Sequence, residues 1–214
     1  KVEQHAPLAS QRDTKPLSTK EILRIAPFWI LAAAMALSLG MYQAVAITLV
    51  PMVQEQGVDV TTAAGLLSVM GVTGLIGKFA LALIGDAFNK SFALALMLLS
   101  MAAIVVVIPI PDSYVAIVVL AGMLGLAGSV MLPLYLALLA DYVGSASFAS
   151  ANGMASLMLA FSGAIAMRLS GEIYDSTGSY DGLFFILAAC FTMAALLMLA
   201  LSRLSRAKPV AAAA

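Results

Sequence analysis

Histidine and cysteine each occur once in the 214 residues, and only 10% of the chain is charged. Cys190 has no partner for an intrachain disulfide and sits in an apolar run, so the sequence carries no redox chemistry. His5 lies in a polar N-terminal stretch, which removes most metal sites and most hydrolytic triads. No catalytic residue, no metal ligand and no cofactor site is therefore expected. Eleven Lys and Arg balance eleven Asp and Glu, leaving no basic surface for nucleic acid. Polarity itself is scarce: 63% of the residues are hydrophobic, against roughly 45–50% in an ordinary soluble domain. A water-soluble globule of this size must still show many polar residues to solvent, and a disordered chain needs far less apolar content. The lipid bilayer is the solvent this composition suits.

What the sequence does have is six long apolar runs, over Phe28–Pro51, Ala63–Ile84, Phe92–Ile110, Val115–Leu139, Ala146–Leu169 and Leu183–Leu201. Each approaches the roughly 20 helical residues that cross a hydrocarbon core of about 30 Å. None alternates with the period of two that a barrel strand requires. Short polar connections such as Gln54–Gly57, Pro111–Ser113 and Ser176–Ser179 predict antiparallel neighbours. The expected fold is an all-α membrane protein of six transmembrane helices. Its domain occupies residues 27–205, after a polar segment over 1–26 and before a short tail over 206–214.

Lys and Arg are unevenly placed. Lys1, Arg12, Lys15, Lys20, Arg24, Lys90, Arg203, Arg206 and Lys208 fall on one side of the membrane; Arg168 alone falls on the other, and Lys78 lies within a span. That bias predicts a multi-pass protein of the cell (plasma or inner) membrane with both termini cytoplasmic. No secretory signal pattern opens the chain, which begins with Lys rather than Met.

Small residues recur at helical spacing. In the second span Gly71, Gly74, Lys78, Ala82 and Gly85 share one stripe; the fourth has Gly122, Gly125 and Gly128, followed by Pro133; the fifth has Asn152, Ser156, Gly163 and Ser170 along one face. Such stripes let backbones approach closely in lipid. They predict that the second, fourth and fifth spans face protein, and that the plainer third and sixth face lipid. Pro133 also marks a helix able to bend.

Two loop motifs carry a family resemblance. After the second span comes Ala82-x-x-x-Asp86-Ala87-x-Asn89-Lys90. Asp86 and Lys90 match the Gly-x-x-x-Asp-Arg-x-Gly-Arg loop motif of the major facilitator superfamily; Ala82, Ala87 and Asn89 depart from it. After the fifth span comes Gly171-x-x-x-Asp175-x-Thr177-Gly178-Ser179-Tyr180. It repeats that frame and resembles the segment between the last two helices of monocarboxylate-type and oxalate/formate-type facilitators. The two motifs lie on opposite faces, one helix before the end of each three-helix block, as an inverted 3+3 repeat requires. Phe28-Trp29, Pro51 with Gly57, Pro133-Leu134-Tyr135, Ala140-Asp141 with Gly144, and Asn152-Gly153 add to the likeness, which spans residues 20–205. The resemblance implies the C-terminal six-helix half of a twelve-helix transporter, with residues 1–26 as a remnant of the central loop. A second half, or a second copy of this chain, would be its partner.

By the same resemblance, Asp86, Lys90, Gly171, Asp175 and Gly178 belong to the conformational loop motifs. The Gly77-Lys78 step stands where related organic-anion carriers place Gly-Arg, which supplies positive charge to the substrate path. Lys78 has two readings: a binding residue, because a charge at membrane depth is expensive, or a lysine that snorkels to the nearby headgroups. Tyr42 and Gln43, with Asn152 and Ser156, complete the candidate substrate site. Arg168 lies four residues before Glu172 and suits a local ion pair. With no Walker motif present, the function implied is secondary transport of a small organic anion such as a monocarboxylate, coupled to a proton or a counter-anion. The alternatives are a homodimeric carrier or channel and a structural membrane subunit. An intramembrane serine enzyme at Ser162 lacks a membrane-embedded His.

Overall fold

The computed structural model describes residues 17–84, 89–110 and 113–207. They form a short α1 (Thr19–Ile22) and six long helices: α2 (Ala26–Glu55), α3 (Val60–Ile84), α4 (Lys90–Val107), α5 (Tyr114–Val143), α6 (Phe148–Thr177) and α7 (Asp181–Ala207). All six long helices are apolar and long enough to cross a membrane. No strand occurs among the described residues.

α1 was not expected. It forms because Ser18 and Glu21 make a reciprocal capping box, while the Leu17 N–H donates to Ser147 Oγ at 2.8 Å and pins this stretch to the start of α6. Ile22 is fully buried there. Several helices outrun their apolar runs. α2 continues one turn past Pro51 to Glu55, since a proline near a helix end removes only one backbone hydrogen bond. α6 extends to Thr177 and stops where Gly178 adopts a left-handed φ of +70°, the conformation glycine accepts most easily. At the start of α3, Asp59 accepts from the Thr61 and Thr62 N–H groups at 3.0 and 3.1 Å. Those bonds, the Thr62 side chain foremost, hold the Asp59 carboxyl below its ordinary range. α5 runs unbroken through Pro133.

α2 is the central helix and packs against α6, α7, α5 and α3; α3 lies on α5, and α4 on α7. A polar pin crosses the core, where the fully buried Ser38 and Tyr135 hydroxyls bond at 2.9 Å. Without a hydrophobic force between helices in lipid, close backbone approach carries the association. A Cβ on Gly77 would stand 2.8 Å from Ser129 Oγ, and one on Gly74 would stand 3.2 Å from the Gly125 carbonyl. Gly125 in turn faces the Met70 backbone, Gly128 lies under the Tyr42 ring, and Gly40 meets Ser162 and Gly163 of α6.

Two expectations change here. The buried edge of α3 is Ala63, Leu66, Met70, Gly74 and Gly77, whereas Gly71, Lys78 and Ala82 are exposed. Contact is centred between Gly74 and Gly77 because those are the glycines that meet α5, so Lys78 stands at the rim of the contact rather than within it. The expected sides of the bundle also differ within this chain. α3 and α6 are its least buried spans, and α4 and α7 bury each other. The plain aliphatic faces of α4 and α7 interlock, whereas α3 and α6 each spend one narrow edge on a neighbour.

Candidate functional site

Lys78 sits on α3 about 9 Å from its end at Ile84, at the 1.5 Å rise of a helix. It opens into a cleft of about 420 Å³ between α2, α3 and α5, within the usual size range of small-molecule sites. Tyr42 and Ala46 of α2, Gly71 and Gly74 of α3, and Gly125 and Ser129 of α5 line the same cleft. The glycines matter twice: they draw α3 onto α5, and they leave the wall beside Lys78 free of side chains. Tyr42 is half-buried, and its ring lies against Gly128, where any Cβ would displace it. Ser129 Oγ donates to the Leu126 carbonyl at 3.0 Å. No carboxylate among the described residues forms an ion pair with Lys78. The cleft therefore combines one cation, a phenol and a hydroxyl with an apolar wall.

Only part of the expected substrate set converges there. Gln43 is one residue along α2 and turns to α6, its Oε1 3.0 Å from where a Cβ on Gly163 would stand. Asn152 is half-buried and Ser156 exposed on α6, and neither lines the cleft. Ser129 went unnoticed in the sequence; its signal was its position directly after Gly125-x-x-Gly128, the stripe that faces α3 and Tyr42. Ser162 Oγ is buried beside Gly40 with no hydrogen-bond partner among the described residues.

The loop-motif residues divide between the two ends of the bundle. Asp86 lies outside the described residues. Lys90, at the start of α4, pairs with Asp141 near the end of α5 at 3.0 Å; Asp141 was legible as part of Ala140-Asp141, but not as the partner of Lys90. At the opposite end Gly171 and Asp175 are exposed on the last turns of α6, and Gly178 ends that helix. Arg168 and Glu172 form the expected i,i+4 pair at 2.7 Å.

This arrangement of six spans, glycine contacts and loop motifs has a counterpart among known proteins. A family model described as Major Facilitator Superfamily matches residues 28–214. The chain belongs to the major facilitator superfamily. Within it, the chain is 28% identical over 175 residues to monocarboxylate transporter 13 of Bos taurus, covering 81% of this chain and 41% of that protein. It is 30% identical over 148 residues to monocarboxylate transporter 13 of Rattus norvegicus, covering 68% and 34%. With monocarboxylate transporter 2 of Rattus norvegicus it shares 29% identity over 160 residues, covering 72% and 32%. The chain thus aligns with about a third to two fifths of the length of these relatives. As a facilitator-family chain with six membrane-crossing helices it is a multi-pass membrane protein resembling the monocarboxylate branch.

Proposed function

We propose that this chain forms the six-helix C-terminal part of a secondary transporter for a small organic anion, of the monocarboxylate class, working by alternating access. The observation that carries the reading is Lys78, a cation at membrane depth that opens into the α2–α3–α5 cleft beside Tyr42 and Ser129. A carboxylate leaving water needs a compensating charge, because an unpaired ion in a low-dielectric site costs several kcal/mol. Lys78 supplies that charge, the Tyr42 phenol on the cleft wall donates to the anion, Ser129 joins it by turning its hydroxyl away from the Leu126 carbonyl, and the apolar wall accepts a short carbon chain. The names of the relatives support the same substrate class. The open faces of α3 and α6, with Asn152 and Ser156, are where a second six-helix unit closes the cavity. The coupled species is a proton or a counter-anion. Both termini are cytoplasmic on the basic bias of the loops; labelling of Lys90→Cys by an impermeant thiol reagent outside intact cells overturns that orientation.

The test is uptake of radiolabelled lactate, pyruvate and acetate by cells expressing the full gene product, normalised to protein in the membrane. Lys78→Gln is expected to lose at least about tenfold in uptake, the scale of one lost charge-assisted contact, while Lys78→Arg keeps part of it. A snorkelling lysine predicts the reverse: Gln is tolerated, and membrane insertion improves. Near-normal uptake of all three anions by Lys78→Gln removes Lys78 from the site.

A further inference from the structure

The end of the bundle opposite the Lys90–Asp141 pair is held by a different device. Gly178 turns the chain out of α6, its N–H donating to the Tyr174 carbonyl at 2.8 Å. Thr177 Oγ1 has the Ile173 and Ser179 carbonyls at 2.7 and 2.9 Å as acceptors for its one hydrogen and itself accepts from the Ser179 N–H at 3.3 Å, while Ser179 Oγ accepts from the Asp181 N–H at 3.1 Å. The Tyr180 carbonyl then accepts from the Leu183 and Phe184 N–H groups and starts α7. This self-bonded turn folds Tyr180 back onto Tyr174, and the rings stack with centroids 4.6 Å apart and planes 21° from parallel.

Both tyrosines also reach the tip of α2. The Tyr174 hydroxyl lies near the Glu55 carboxylate. Tyr180 shares a cavity of about 120 Å³ with Thr48 and Pro51 of α2 and with Ser170 and Gly171 of α6. Burial, followed by the charges of Glu55 and Asp175, pushes the Tyr180 phenol above its ordinary range, in keeping with that proximity. The tip is the weak part of α2. Pro51 has no N–H to bond the Ile47 carbonyl, so the turn from Met52 to Glu55 is tethered to the helix by one bond fewer. Beyond it, Gly57 at a φ of +86° leads directly into α3, the helix that carries Lys78. Ala46, just over one turn before Pro51, lines the Lys78 cleft.

We propose that Glu55, Tyr174 and Tyr180 form a clasp that holds the proline-jointed tip of α2 against the α6–α7 turn, and that its release accompanies access to the Lys78 cleft from this end. The clasp itself stands on the Tyr174–Tyr180 stack and on the cavity that Tyr180 shares with Pro51; its link to access rests on the transporter reading. It also gives the Thr177-Gly178-Ser179-Tyr180 motif a physical task, which is to present one aromatic ring at a set distance from α2.

Hydrogen exchange of the full gene product in lipid nanodiscs tests the clasp without any substrate. Tyr174→Phe removes one hydroxyl and keeps the stack; Glu55→Gln keeps the shape and removes the charge; Tyr180→Leu removes the stack. Each is expected to speed exchange at residues 52–57 by about tenfold, as for a lost contact with a charged group that guards a local opening. Amides at 94–105 in α4 and 187–198 in α7 keep their rates, and Tyr174→Phe with Glu55→Gln accelerates no more than either alone. Unchanged exchange at 52–57 overturns the clasp, and so does equal acceleration through every helix, which marks general packing instead. Lactate uptake then tests the link to access: Tyr174→Phe is expected to change the maximal rate at least twofold with half-saturation unaltered. If the unmutated protein carries none of lactate, pyruvate and acetate, the transport reading and the link to access fall together while the exchange comparison still decides the clasp.

Discussion

α3 and α6 differ from α4 and α7 in what they do with their surfaces. Only 22% of the most apolar stretch of α3, and of α6, is buried within the chain, against 44% for α4 and for α7. Yet α3 and α6 take part in close backbone approaches, Gly77 of α3 facing the Leu126 carbonyl and the Gly163 backbone of α6 facing Gly40. The plain helices are joined by area, with Leu94, Leu98, Met101, Phe191, Ala194 and Met198 wholly buried. The glycine-bearing helices are joined by narrow seams, and the rest of their circumference stays open, including the face with Lys78. A span that must carry a polar group at membrane depth benefits from that economy: a seam needs few residues, which leaves the others available for a cleft or a partner.

The largest expected effect comes from breaking the seam. Gly125→Val drives side-chain atoms into the Met70 backbone, which has no rotamer with which to yield. Stability is expected to fall by about 3 kcal/mol, the upper part of the range for overpacked sites, as read from unfolding of the purified protein in mixed micelles. An unchanged midpoint would show that α3 and α5 are held by something other than close approach.

A smaller effect separates area from exposure. Leu98 on α4 is completely buried, whereas Leu83 on α3 is 89% exposed. Leu98→Ala is expected to cost about 2 kcal/mol; in lipid the transfer part of a core deletion largely cancels and the lost packing remains. Leu83→Ala is expected to leave the same unfolding curve within error. Equal losses at the two positions would abolish the distinction between the packed pair and the open span.

The smallest effect belongs to the Lys90–Asp141 pair, whose side chains are 20% and 56% exposed. A double-mutant cycle with Lys90→Gln and Asp141→Asn is expected to give a coupling below about 1 kcal/mol, since exposed pairs are screened by water and salt. A coupling of several kcal/mol would make this ion pair, rather than helix packing, what holds α4 to α5 at that end.

The amino-acid sequence by itself determined the six spans, their antiparallel order, which spans carry glycines for close approach, and the resemblance to facilitators. Those features depend on local composition: a run of apolar residues is a span wherever it lies, and a glycine lacks a side chain in every fold. Rotation and partnership were decided only by the tertiary structure. On α3 the stripe with Lys78 and the stripe with Gly77 are both plausible contact faces in the sequence, because lipid is as apolar as a packed neighbour and the helix shows no polar–apolar contrast to choose between them. Packing against Gly125 and Ser129 chose the Gly74–Gly77 edge and left Lys78 facing the cleft with Tyr42. Partners far apart in the chain follow the same rule. Lys90 meets Asp141 across 51 residues, and Glu55 lies near Tyr174, because each pair of helix ends falls on the same side of the bundle once packing has set which helices touch.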